Sequence, residues 1–163
     1  MTEDIEPAFS DREDGPAAVA GPRWVVCERS GAWAIALRRE AAPFDLRLCE
    51  TRSLADAWAV LEQSPASFLV AELTAANVDS LVDRIAGLER RFPHARAAVV
   101  AERSLADCES LVREAGAVWF AASPRDLKPI VTLARRHLQL APLPPRDLAQ
   151  QVWSSLPWGP ATG

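Results

Sequence analysis

Residues Phe68–Ala101 read FLVAELTAANVDSLVDRIAGLERRFPHARAAVVA. Two nearly continuous apolar runs, Phe68–Leu73 and Ala97–Ala101, flank a stretch in which Val78, Leu81, Val82, Ile85 and Leu88 recur at helical spacing behind Asn77. Apolar runs without alternation fit strands covered by helices on both faces, and the amphipathic stretch between them fits a crossover helix with one apolar stripe. The segment therefore predicts a β-α-β unit with parallel strands.

The same pattern extends in both directions. Trp24–Glu28 and Ala117–Ala121 are further apolar runs, whereas Leu46–Glu50 alternates polar and apolar residues and so fits a sheet edge. Ser30 precedes a helical stretch over Ala32–Glu40, and Ser53 precedes Leu54, Ala57, Trp58 and Leu61. Ser104, with Asp107 three residues on, precedes Leu105–Glu114, and Gly116 supplies a helix stop. Ser123 precedes Pro124 and Asp126 at the first and third positions expected of a last helix, Pro124–Leu138. Five β-α units predict an α/β fold of the flavodoxin-like, three-layer, doubly wound type. Right-handed crossovers and a second strand at the edge favour the order 2-1-3-4-5.

A length of 163 residues suits one domain with appendages. Residues 1–22 hold six acids against one arginine, and Pro7, Gly15, Pro16, Gly21 and Pro22 interrupt them, which reads as an acidic, solvated, disordered leader. Residues 23–141 are the expected α/β domain, and 142–163 a Pro-rich linker with a short Trp-containing helix. Outside the leader, 16 acids face 17 bases, so no global basic field attracts nucleic acid or anionic lipid. The paired arginines Arg90-Arg91 and Arg135-Arg136 read as solvated helix ends. The acidic start lacks the positive, then apolar, pattern of a secretory signal, and no apolar stretch is long enough to span a bilayer. A cytoplasmic protein with reduced thiols is expected.

Cys27, Cys49 and Cys108 form no CxxC pair, and only His94 and His137 could complete a metal site, so no zinc is expected. Both histidines read as surface residues. The Glu28-Arg29-Ser30-Gly31-Ala32 turn lacks the glycine spacing of a dinucleotide loop. No cofactor is expected, and Cys27 reads as a buried, inert thiol rather than a nucleophile, since no cationic cluster surrounds it in sequence.

This arrangement resembles the receiver domain of two-component response regulators, in a degenerate, pseudo-receiver form. Gly116-Ala117 followed by Pro124 reproduces the spacing around the last receiver strand, Phe120 falls at the switch aromatic, and Ala71-Glu72-Leu73 falls at the phosphoacceptor strand. The resemblance implies a phosphoryl pocket at Cys27 and Glu28 (metal positions), Glu72 (acceptor), Ala101 (hydroxyl) and Ser123 (lysine). Only Glu28 retains its family's residue type for a metal-binding role. Cys27 removes a hard oxygen ligand, and Ala101 and Ser123 remove the groups that read the phosphoryl and balance its charge, so self-phosphorylation is not expected. Glu72 has two readings, a fixed mimic of an activated state or a solvated acid at a strand end.

Partner contact is the expected mode of action, and by resemblance the surface is the fourth helix, fifth strand and fifth helix, which could also pair two copies. Phe120 is one candidate contact. Trp153, Leu156, Pro157 and Trp158 are others: Leu148, Val152 and Leu156 align at i, i+4, i+8 behind Asp147, and two tryptophans can dominate a small contact. This tail is expected to fold back over the domain, to dock on an unidentified protein or to be a disordered tail. The expected function is a non-catalytic, phosphorylation-independent signalling or adaptor module. The alternative is a small-ligand-binding domain using the crevice at the carboxyl ends of the strands.

Overall fold

A computed structural model of the chain describes residues 21–143. In chain order the elements are β1 (Trp24–Cys27), α1 (Ala32–Ala41), β2 (Leu48–Thr51), α2 (Leu54–Gln63), β3 (Phe68–Leu73), α3 (Val78–Arg91), β4 (Arg96–Ala101), α4 (Glu109–Glu114), β5 (Trp119–Ala121) and α5 (Lys128–Leu140). The strands form one parallel sheet in the order β2-β1-β3-β4-β5, as the sequence pattern predicts.

Period-two alternation within the central strands feeds two separate cores. Val25, Leu69, Ala71, Ala97 and Val99 point to the face covered by α2, α3 and α4, where Trp58, Leu61, Leu81, Ile85 and Val112 meet them. Trp24, Val26, Phe68, Val70, Ala98 and Val100 point to the opposite face, against Trp33 and Leu37 of α1 and Ile130, Val131 and Ala134 of α5. Each fully buried Leu, Ile or Val contributes roughly 1.5–3 kcal/mol of transfer free energy, which is why unbroken apolar runs settle in this three-layer arrangement. The edge strand β2 is half-buried, in keeping with its alternating sequence.

Several helix starts differ from the sequence reading. Ser53 does cap α2, its hydroxyl accepting the Asp56 N–H at 3.1 Å. Ser104 and Asp107 do not form a capping box. The chain leaves β4 through a 3₁₀ helix, Arg103–Cys108, opened by the Leu105 N–H donating to the Glu102 carbonyl, so Ser104 lies inside a turn and α4 starts later. Ser123 and Pro124 do not start α5 either. The Ser123 hydroxyl accepts the Arg125 N–H and its carbonyl the Asp126 N–H, closing a turn, and the helix begins at Lys128 with Pro129 in its first turn, where no N–H is needed. Gly116 ends α4 as expected, with φ at +114° and its N–H on the Arg113 carbonyl.

His137 is a correction of a different kind. It is half-buried rather than superficial: Nε2 donates to the Ala66 carbonyl at 2.8 Å and the ring packs 5.6 Å from that of Phe68. Burial holds its pKa below the ordinary histidine value. The hydrogen bond to Ala66 opposes the fall, and the nearby Arg96 guanidinium adds to it. Among the described residues no helix is long and apolar enough to cross a membrane.

Candidate functional site

In a parallel sheet all strands deliver their last residues to one edge, and here that edge gathers Cys27, Glu28, Glu72 and Ala101, with Ser123 just beyond β5. Glu72, Ala101 and Ser123 share the wall of an open cleft of about 860 Å³. Cys27 and Glu28 do not line it.

Glu28 is 2% exposed, and its carboxylate turns away from the cleft into the start of α1. One oxygen accepts the Trp33 N–H at 2.9 Å and the other the Ala34 N–H at 2.5 Å. The first N–H groups of a helix have no intrahelical acceptor, and a carboxylate placed there both satisfies them and complements the helix dipole. Gly31 makes the approach feasible: at φ +86° it takes a left-handed turn that L side chains rarely adopt, folding the first turn of α1 back over Glu28. Ser30, the expected cap, takes only the Ala32 N–H, at 3.3 Å.

The neighbouring groups are similarly engaged. The Cys27 thiol is buried, and burial pushes its pKa up, with the carboxylates of Asp56, Glu72 and Glu28 adding to the rise against a lowering hydrogen bond from Thr51. A thiol in such surroundings stays protonated and unreactive at neutral pH. Glu72 is half-buried, and one of its oxygens accepts the Arg29 N–H at 3.0 Å. Asn77, at the start of α3, braces the loop beneath it, accepting the Thr74 N–H at 2.8 Å and donating to the Glu72 carbonyl at 2.9 Å.

These residues do not fit the divalent cation that receiver chemistry requires. A hard cation needs several free oxygen ligands; at the receiver metal and acceptor positions Glu28 has both oxygens on backbone N–H groups, Cys27 offers a protonated thiol, and Glu72 is the one carboxylate left. Among the described residues no group of three or more His, Cys, Asp or Glu side chains is placed to hold a metal. The cleft wall carries four carboxylates (Glu72, Glu102, Glu109 and Asp126) against two guanidiniums (Arg103 and Arg125), an unfavourable setting for a phosphoryl group.

The architecture matches solved structures closely in topology and weakly in sequence. A response regulator from Thermotoga maritima superposes with a TM-score of 0.58 at 13% identity, over 72% of this chain and 98% of that one. The chain has the receiver fold. A CheY-like protein (tadZ) from Pseudomonas aeruginosa PAO1 superposes with a TM-score of 0.56 at 19% identity, over 76% and 98% of the two chains. An orphan response regulator of Helicobacter pylori does so with a TM-score of 0.56 at 14% identity, over 73% and 98%. No family model matches the sequence, and no curated protein matches it.

Of the remaining candidates, Phe120 is 6% exposed and belongs to the core on the α2–α3–α4 face while also lining the cleft, so its ring is not displayed to a partner in this conformation. Trp153, Leu156, Pro157 and Trp158 lie outside the described residues. Sequence reasoning missed the capping role of Glu28, whose signal was an acid five and six residues before the amides it binds, with a glycine between.

Proposed function

We propose that this receiver fold works without phosphoryl transfer, as a pseudo-receiver that acts by protein–protein contact in signalling. The observation that carries the reading is the commitment of both Glu28 oxygens to the amino terminus of α1. The one carboxylate at a metal position that the sequence retains is spent on holding the fold together. Cys27, Ala101 and Ser123 supply no replacement for the missing cation ligand, hydroxyl and ammonium. The same arrangement supports a reading without catalysis, in which output runs through contact with a protein partner.

The test is to incubate the full chain with acetyl phosphate and Mg²⁺ and follow its intact mass. No phosphoryl adduct is expected, and Mg²⁺ leaves the melting temperature unchanged; an acid-labile adduct on Glu72 would refute the reading. The cleft of about 860 Å³ favours a second reading, capture of a small cationic molecule among its four carboxylates. A polyamine that raises the melting temperature of the native chain, and not of Glu72→Gln, would support it.

A further inference from the structure

At the opposite, amino-terminal edge of the sheet a groove of about 410 Å³ lies between the starts of β3–β5 and the last turns of α5. Its apolar wall is Phe68, Val118, Leu133 and Leu140, and Leu140 is 72% exposed. Its polar groups are all basic or imidazole, Arg96, Arg136, His94 and His137, and no acid lines it. Arg96 donates to the Pro93 and Ala95 carbonyls at 3.0 and 2.7 Å, and neither it nor Arg136 pairs with a carboxylate among the described residues. Cationic groups beside an exposed apolar surface suit an acidic chain that also carries an apolar side chain.

Such a chain begins beside the groove. Residues 1–20 precede the described structure, and the polypeptide enters the fold at Arg23, whose carbonyl accepts the Phe68 N–H at 2.9 Å. This leader carries Glu3, Asp4, Glu6, Asp11, Glu13 and Asp14 against Arg12, and its single aromatic residue, Phe9, stands between Glu6 and Asp11. From Gly21 back to Phe9 the chain can reach about 40 Å at roughly 3.3 Å per residue, ample for a groove that starts one strand away. The segment 144–163 leaves from the same end, but holds only Arg146 and Asp147 as charges and has no comparable complementarity.

We propose that the acidic leader lies across this groove, with Phe9 against Leu133 and Leu140 and the carboxylates of Glu6 and Asp11 facing Arg96 and Arg136. The groove is then an acidic-peptide site with a resident occupant, independent of the reading given for the other end of the sheet.

The experiment compares amide resonances of the isotope-labelled full chain with those of a leader variant, Glu6→Gln/Phe9→Ser/Asp11→Asn, whose changes lie outside the described residues. Shifts confined to Phe68, Arg96, Leu133 and Leu140 are expected. A synthetic peptide of residues 1–20 added to the variant reverses them, and Arg136→Glu in that variant weakens the capture about tenfold. In 1 M salt, where the screening length falls from about 10 Å to about 3 Å, the native spectrum moves towards that of the variant. Unchanged groove resonances overturn the proposal, as do shifts around the carboxyl-end cleft. Groove shifts produced by Trp153→Ser and not by the leader variant assign the site to the carboxyl-terminal segment instead, and overturn it equally.

Discussion

The two ends of the sheet treat their charged groups in opposite ways. At the carboxyl end the two acids at the receiver-pocket positions are held by the molecule itself: Glu28 by α1, Glu72 in part by the Arg29 N–H. At the amino end Arg96 and Arg136 stand beside exposed apolar side chains with no acid in the groove. Carboxylates held by backbone N–H groups contribute to stability and have little capacity left for a ligand, whereas cations without carboxylate partners retain that capacity. The contrast teaches that the position of a receiver's chemistry and the position of this chain's interaction potential need not coincide.

The largest expected effect tests the stabilising half of the contrast. Glu28→Ala strands the Trp33 and Ala34 N–H groups in a buried site and should cost about 3 kcal/mol, measured by urea denaturation. A loss below about 1 kcal/mol would mean that Glu28 is not structural and would restore it as a candidate ligand. Next, Cys27→Asp places a carboxylate close to Glu28 and Glu72 and should cost about 2 kcal/mol at neutral pH. Recovery of that loss on adding Mg²⁺ would show that one substitution rebuilds a cation site, and would break the contrast. At the other end, His137→Leu leaves the Ala66 carbonyl unpaired and should cost about 1 kcal/mol at pH 8.

His137 also predicts a pH dependence. Its imidazolium form is disfavoured in the fold, so the unfolded chain takes up the proton first as the medium is acidified. The stability it contributes is complete above the ordinary histidine value and is lost as pH falls from there through the lowered folded value. In His137→Leu this part of the acid sensitivity should disappear from a series of melting curves. The smallest effect is that of Glu72→Ala, within about 0.5 kcal/mol of the native chain, because the Arg29 N–H it releases is exposed to water. An altered partner affinity in that variant, at unchanged stability, would favour Glu72 as a mimic of an activated state.

The sheet was legible because its information is local. Nearly continuous apolar runs marked β1, β3, β4 and β5, alternation marked the edge strand β2, and together these led to the strand order. The cap at Ser53 was legible for the same reason. Ser104 and Ser123 carry the same local signal but sit in turns, since hydroxyl caps and turn hydroxyls make identical short-range bonds and only the path of the chain separates them. His137 was misread because its partner Ala66 is 71 residues away, across the base of the sheet. At the site, the identities of the missing groups could be read from the resemblance, but the orientation of Glu28 could not. It depends on the left-handed turn at Gly31, which brings α1 back over a side chain whose residue type alone suggests a ligand.

The rims of the sheet have a consequence for association. An outer strand offers unpaired N–H and C=O groups on which another chain can extend the ladder, the first step of fibrillar growth. Here β5 is three residues long, and β2 is four residues long with Glu50 held by Arg38 and Arg52 beside it. Short, charge-guarded borders of this kind discourage strand-to-strand polymerisation.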